Sequence, residues 1–208
     1  MQACLMPKKS SRAQWGDYVR QGGSSRPQSN TPQIIQAARR GFHGTILGLD
    51  PSLRGTGFAV IEHHGGVFRI RACDTLKIHP RESFYHCLAS IEEWIEKVLT
   101  RYPIEHVACE RTIYVQNVRT ATTLGGARAA ALLPAARRRL PIFEYSPLRI
   151  KQAIVGHGRA SKEQVNASIA HFLGDLVERG LDESDAAAAA ICHAFTHQPE
   201  PSSPAIQT

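Results

Sequence analysis

Apolar residues along this chain follow two different periods. Between positions 45 and 76 they come in short runs. "TILGLD" (45–50) and "GTGFAVIE" (55–62) are nearly continuous, whereas "GGVFRIRACDTL" (65–76) alternates, with Phe68, Ile70 and Ala72 set against Val67, Arg69 and Arg71. A continuous run fits a central strand buried on both faces, and alternation fits a strand nearer a sheet edge. The connections Pro51–Gly55 and Gly65–Gly66 are short enough for hairpins, so the pattern predicts three strands in an antiparallel meander.

After residue 80 the period lengthens. Leu88, Ile91, Trp94, Ile95, Val98 and Leu99 share one face of a helix predicted over 81–101, which Pro103 ends. "IEHVACE" (104–110) reads as a fourth strand, and a strand reached through a helix implies a right-handed crossover into parallel pairing. An Ala- and Leu-rich helix follows over 117–139, with a kink or break expected at Pro134. "PIFEY" (141–145) is a fifth short strand. Ser146 and Pro147 open the next helix as N-cap and first helical residue, and "GHGR" (156–159) breaks it. A helix then runs from Ser161 to a stop at Gly174, and a last one over "DESDAAAAAICHAFTH" (182–197). The order β-β-β-α-β-α-β-α-α-α predicts an α/β protein, a mixed five-stranded sheet with helices on its faces.

Composition adds the boundaries. The 208 residues are 42% apolar, enough for one domain with tails. Residues 1–44 lack periodicity and are rich in Ser, Gln, Gly and Arg, so they read as a disordered basic tail, and 198–208 read as a second tail. The acid-poor start also resembles an organelle transit peptide, the lesser reading beside a cytoplasmic one. No apolar run approaches the roughly 18–20 residues that span a bilayer, so no membrane partner is expected. Five cysteines, an odd number without a Cys-x-x-Cys pair, argue against a disulfide framework and a structural zinc site. Cys109 and Cys192 read as small core residues.

The net charge of +7 is unevenly spread. Residues 111–162 hold ten Lys/Arg and one acid, Glu144, whereas 46–110 hold seven basic and nine acidic residues. A block of that kind attracts a polyanion such as nucleic acid, although a run like Arg137–Arg139 also fits a solvated helix face.

Four carboxylates carry the candidate chemistry. Asp50 and Glu110 each end a predicted strand. Taken singly, either fits a turn or the surface. If the first and fourth strands are parallel neighbours, however, the two stand side by side, about 4.8 Å apart in strand spacing. They then repel unless a proton or cation joins them, and a hard divalent cation suits oxygen ligands. Asp182 and Asp185 lie at i and i+3 in the first turn of the last helix and share a face, though Asp182 also suits an N-cap. Glu183 points elsewhere and reads as a cap or a solvated residue. The alanines that follow let this helix approach the sheet closely. Such a set suits phosphodiester hydrolysis at a two-metal site without a protein nucleophile.

"ILGLDPSLRGTGFAVIE", "VACERTIYVQN…LGGARAA", "PIFEYSPLRIKQAIVGHGRASKEQV" and "DESDAAAAAICHA" together resemble the RuvC family of Holliday-junction resolvases, over residues 45–197. The resemblance implies a ribonuclease H-like fold and a homodimer. It implies symmetric nicking of two opposed strands of four-way junction DNA, leaving 5′-phosphate and 3′-hydroxyl ends. It also implies Mg²⁺ as cofactor, two ions per site with Mn²⁺ able to substitute, and RuvA- and RuvB-like branch-migration partners. The acidic positions of the family fall on Asp50, Glu110, Asp182 and Asp185, which are both metal ligands and catalytic residues. Its DNA contacts fall on Lys151 and Lys162, with Arg111, Tyr114 and Arg128 as further candidates. Ile113 stands where relatives often carry a stacking phenylalanine. Tyr114 either supplies that aromatic surface one residue on or is an ordinary half-buried tyrosine. His193 reads as a helix-face residue rather than a ligand. Three alternatives stay open on sequence: a ribonuclease H-like nuclease for other branched substrates, a non-catalytic junction-binding module, and an actin/sugar-kinase-like ATPase, whose first phosphate loop "GLDPSLRGTG" resembles.

Overall fold

Strand β1 (Gly44–Asp50) is buried along its length until Asp50, because it lies in the middle of the sheet. The structure, a computed structural model, describes residues 41–111, 117–173 and 181–197, all within one compact unit, Thr31–Thr208. The side chains of Leu181 and Asp182 lie outside the description. The remaining strands are β2 (Gly55–His64), β3 (Val67–Lys77), β4 (His106–Glu110) and β5 (Ile142–Tyr145). The helices are α1 (Phe84–Arg101), α2 (Val118–Arg137), α3 (Pro147–Val155), α4 (Lys162–Leu173) and α5 (Leu181–Thr196). This is the element order that the hydrophobic periods predict.

The sheet order is β3-β2-β1-β4-β5. The β1–β2 and β2–β3 pairs are antiparallel, as two hairpins require, and β1–β4 and β4–β5 are parallel, reached through helical crossovers. Alternation along β1 divides the core in two. Leu47 and Leu49 face α1 and α2, where Ile91, Ile95, Ala127 and Ala131 meet them. Ile46 faces the opposite side, where α5 packs with Ile150 and Ile154 of α3 and Ile169 of α4.

Helix α5 is almost wholly buried from Ala186 to Ala194. Its alanines bring it down onto the backbone of β1. A Cβ added to Gly48 would stand 2.0 Å from the Ala186 carbonyl oxygen and 3.1 Å from the Ala190 Cβ. Close approach at this point needs small residues on both partners, and the sequence supplies them.

Two local expectations change. Phe42 is buried and its N–H donates to the Ala194 carbonyl at 3.0 Å, so residues 41–44 pack with the body although the sequence assigns them to the tail. Helix α2 runs through Pro134 to Arg137 without ending there. Pro134 is buried and lies in the last turn of the helix, where its missing N–H removes one intrahelical bond. The remainder of the expected N-terminal tail, and all of 198–208, lie outside the described residues.

Candidate active site

The parallel ladder between β1 and β4 pairs Leu49 with Cys109, so Asp50 and Glu110 are the next residues in register. The row extends across the sheet. Asp50 pairs with Gly57, Gly57 with Thr75, and Glu110 with Tyr145. Because side chains alternate, Asp50 shares its face with Ile46 and Glu110 shares its face with Ala108, which is the α5 side of the sheet. The two strand ends therefore present two half-buried carboxylates to the same place.

Helix α5 begins over that place and contributes Asp185. Burial raises the pKa of Glu110, and the negative charge of Asp185 raises it further, while Lys162 and Lys151 act in the opposite direction. Lys162 Nζ donates to Asp185 Oδ2 at 2.9 Å. The two lysines that the sequence suggests as DNA contacts thus flank the acids rather than lying apart from them.

Glu183 does more than solvate the helix end. Thr75 Oγ1 on β3 donates to its Oε1 at 3.3 Å, and its Oε2 is buried without a hydrogen-bond partner. The sequence gives no sign of this contact, since Thr75 lies 108 positions away.

Arg128 departs from its expected role as a DNA contact. Its side chain reaches the end of β4 from the α2 face and is only 16% exposed. Nη1 donates to the Glu110 carbonyl oxygen at 2.7 Å, and Nη2 lies 3.1 Å from Cys109 Sγ and 2.6 Å from Glu144 Oε1. Glu144 also lies 3.9 Å from Arg111 Nε. Arg111 is largely exposed, and its N–H donates to the Tyr145 carbonyl at 2.7 Å. Glu144 is a residue that sequence reasoning missed. The signal was present, for it is the one acid among ten basic residues in 111–162.

His193 is fully buried near the far end of α5. Its Nδ1 is 2.8 Å from Tyr145 Oη and its Nε2 is 2.9 Å from His106 Nδ1. Burial, with His106 and His197 beside it, pushes its pKa down to about 3, so it is neutral and held by neutral partners. Tyr114 belongs to 112–116, outside the described residues.

Oxygen-only donors held together against their mutual repulsion fit a hard divalent cation. Among the described residues no three His, Cys, Asp or Glu side chains form a group able to hold a metal ion by themselves. Asp182, the fourth acid of the sequence pattern, occupies the first turn of α5 beside Glu183.

Comparison with known proteins bears on the same residues. The family model described as crossover junction endodeoxyribonuclease RuvC matches residues 46–193. A crossover junction endodeoxyribonuclease RuvC from Pelotomaculum thermopropionicum is 37% identical over 150 residues, 72% of this chain and 92% of that protein. One from Trichlorobacter lovleyi is 39% identical over 153 residues, 74% of this chain and 86% of its own. Among solved structures, T. thermophilus RuvC in complex with Holliday junction substrate superposes with a TM-score of 0.70 at 31% identity, covering 74% of this chain and 94% of that one.

Proposed function

The chain belongs to the RuvC family of crossover junction endodeoxyribonucleases, and from that premise we propose that Asp50, Glu110, Asp182 and Asp185 form its catalytic metal site. It is a metal-dependent nuclease of ribonuclease H-like fold, and its reaction is the resolution of Holliday junctions. The kinase-like ATPase alternative falls with the family assignment. The observation that carries the site assignment is the adjacency of Asp50 and Glu110 at paired strand ends, with Asp185 close enough to raise the pKa of Glu110.

We assign Mg²⁺ as the ion, two per site, with Mn²⁺ as a substitute. Asp50, Glu110, Asp182 and Asp185 would hold the ion, which would supply an activated water and charge stabilisation for the leaving oxygen. The residues of the chain do the rest. The sheet fixes Asp50 and Glu110 on one face, so neither needs to reorganise for the reaction. Helix α5 supplies Asp182 and Asp185 from a single turn. Lys162 sits against Asp185, and a DNA phosphate arriving there offers the ammonium a second anion. Lys151 lies near enough to Glu110 to act on its charge. We assign both lysines, with Arg111 and Tyr114, to junction binding, and withdraw Arg128 from that group.

The nuclease domain in this reading spans Phe42 to His197, with a basic tail before it and a short tail after it. It works as a homodimer, two copies nicking opposed strands, alongside RuvA- and RuvB-like partners in a bacterial cytoplasm. Among the described residues no helix is long and apolar enough to cross a membrane.

Purified protein incubated with a labelled four-way junction and a matched duplex, with and without Mg²⁺, tests the reading directly. Paired nicks in the junction alone, dependent on the ion, are expected. Metal-independent nicking, or equal nicking of the duplex, would overturn it.

A further inference from the structure

Glu110 ends its strand in an unusual backbone environment. The N–H of Arg111 bonds to Tyr145 on β5, so by alternation the polar backbone groups of Glu110 face β1. In a parallel ladder the carbonyl of Glu110 is met by the N–H of the residue after its partner. Its partner by register is Asp50, and the residue after Asp50 is Pro51, which has no N–H. A half-buried carbonyl left unpaired costs about 1–3 kcal/mol and leaves the end of the strand free to shift. Arg128 supplies the missing donor, with Nη1 at 2.7 Å from that oxygen.

We propose that Arg128 is a positioning residue for Glu110, a side-chain replacement for the ladder hydrogen bond that Pro51 denies, with Glu144 as the counter-ion that aims it. The role rests on the reading of Glu110 as a metal ligand. Its guanidinium serves three acceptors from one planar group: the Glu110 carbonyl, Cys109 Sγ and Glu144 Oε1. A lysine ammonium carries the charge but not the fork. Because Cys109 and Glu144 are paired across β4 and β5 on the α2 face, the guanidinium ties both strands together directly behind the carboxylate that faces α5. These contacts occupy three of the five N–H donors of the guanidinium and hold it 16% exposed. Pro51 in turn keeps the chain turning away after Asp50, so strand end, proline and arginine act as one unit.

Mn²⁺ binding to the DNA-free protein, junction binding in EDTA and the thermal midpoint test this together in Arg128→Lys, Glu144→Gln, Glu110→Gln and the double variant Arg128→Lys/Pro51→Ala. Outer partners of metal ligands typically change affinity by about 10–100-fold, so Arg128→Lys should weaken Mn²⁺ binding about tenfold. Its junction binding in EDTA should stay at the wild-type level. Pro51→Ala restores a backbone N–H and should recover part of the lost Mn²⁺ affinity, a rescue that a merely stabilising arginine does not predict. A folded Arg128→Lys with wild-type Mn²⁺ affinity overturns the inference. So does a variant that loses only junction binding, which would return Arg128 to the DNA interface. If Arg128→Lys fails to fold, Glu144→Gln is read by the same criteria. If Glu110→Gln leaves Mn²⁺ binding unchanged, the metal reading itself falls; if Glu110→Gln weakens it and Arg128→Lys does not, only the positioning role falls.

Discussion

The two ends of α5 lie over the same face of the same sheet and gather opposite kinds of chemistry. At its start Asp185 joins Asp50 and Glu110, where burial raises the pKa of Glu110 and the charge of Asp185 raises it further. Near its far end His193 bonds to His106 and Tyr145 and stacks on the His197 ring. Phe42 stacks on His106 at 4.0 Å between ring centroids and closes that end. Burial alone therefore does not mark a functional site. Both ends are substantially buried, but the acidic end sets Asp185 close enough to Glu110 to raise its pKa beyond the effect of burial, whereas His193 at the other end is hydrogen-bonded to Tyr145 and His106.

The sharpest way to break this contrast is to neutralise one end at a time. Asp50→Asn or Glu110→Gln should lower cleavage by about a thousandfold, equivalent to about 4 kcal/mol of transition-state stabilisation, with junction binding retained or improved. Nicking at the wild-type rate by either variant sinks the metal assignment. His193→Phe should leave the cleavage rate of the folded enzyme unchanged, and lost cleavage at full stability would show that the histidine end belongs to the reaction.

Gly48→Ala tests the wall common to both ends. The added methyl meets the Ala186 carbonyl, so α5 must lift or the protein must lose about 1–3 kcal/mol of stability. Chemical denaturation together with cleavage assays should show both effects. An unperturbed midpoint would mean that α5 is not seated on β1.

His193→Phe leaves Tyr145 Oη and His106 Nδ1 without a partner, a cost of about 1–3 kcal/mol near neutral pH. The pH dependence carries the sign. His193 has an ordinary pKa of 6.5 when unfolded and about 3 when folded, so below 6.5 the unfolded chain binds the extra proton. Its contribution is therefore full above about 6.5 and is lost progressively as pH falls toward about 3. Denaturation midpoints between pH 7 and 4 should fall less steeply in the phenylalanine variant, and equal slopes would remove His193 as a source of acid sensitivity.

The smallest expected effect is at the rim of the acidic end. Lys151→Ala and Lys162→Ala together should reduce the slope of log affinity against log salt by about two, one for each lost phosphate contact. An unchanged slope in filter-binding titrations would take these lysines out of the interface.

Much of this was legible before any coordinates. Two hydrophobic periods fix the element order, and the strand-end acids Asp50 and Glu110 stand out as a pair, although either one alone also fits a turn or the surface. The stretch of alanines after Asp185 states that the last helix must approach something closely, and Gly48 is what it approaches. Local pattern also set the limits of the sequence reading. Arg128 reads as a DNA-contact candidate from its match to a family position in "LGGAR", and sequence gives its charge but not the direction in which its side chain points. Glu144 is a lone acid without an obvious task until β5 is placed beside β4. Glu183 reads as a cap until β3 brings Thr75 to it.

The sequence by itself determined which segments are strands and helices, where the acids fall along them and which face each alternation selects, because these depend on short-range periodicity. Only the tertiary structure decided which ends meet. Register between β1 and β4, the seat of α5 on Gly48 and the reach of Arg128 to the Glu110 carbonyl depend on contacts between residues far apart in the chain. The same is true of the difference between the acidic end and the histidine end, since the electrostatic surroundings of a polar group are set by the neighbours that folding brings to it.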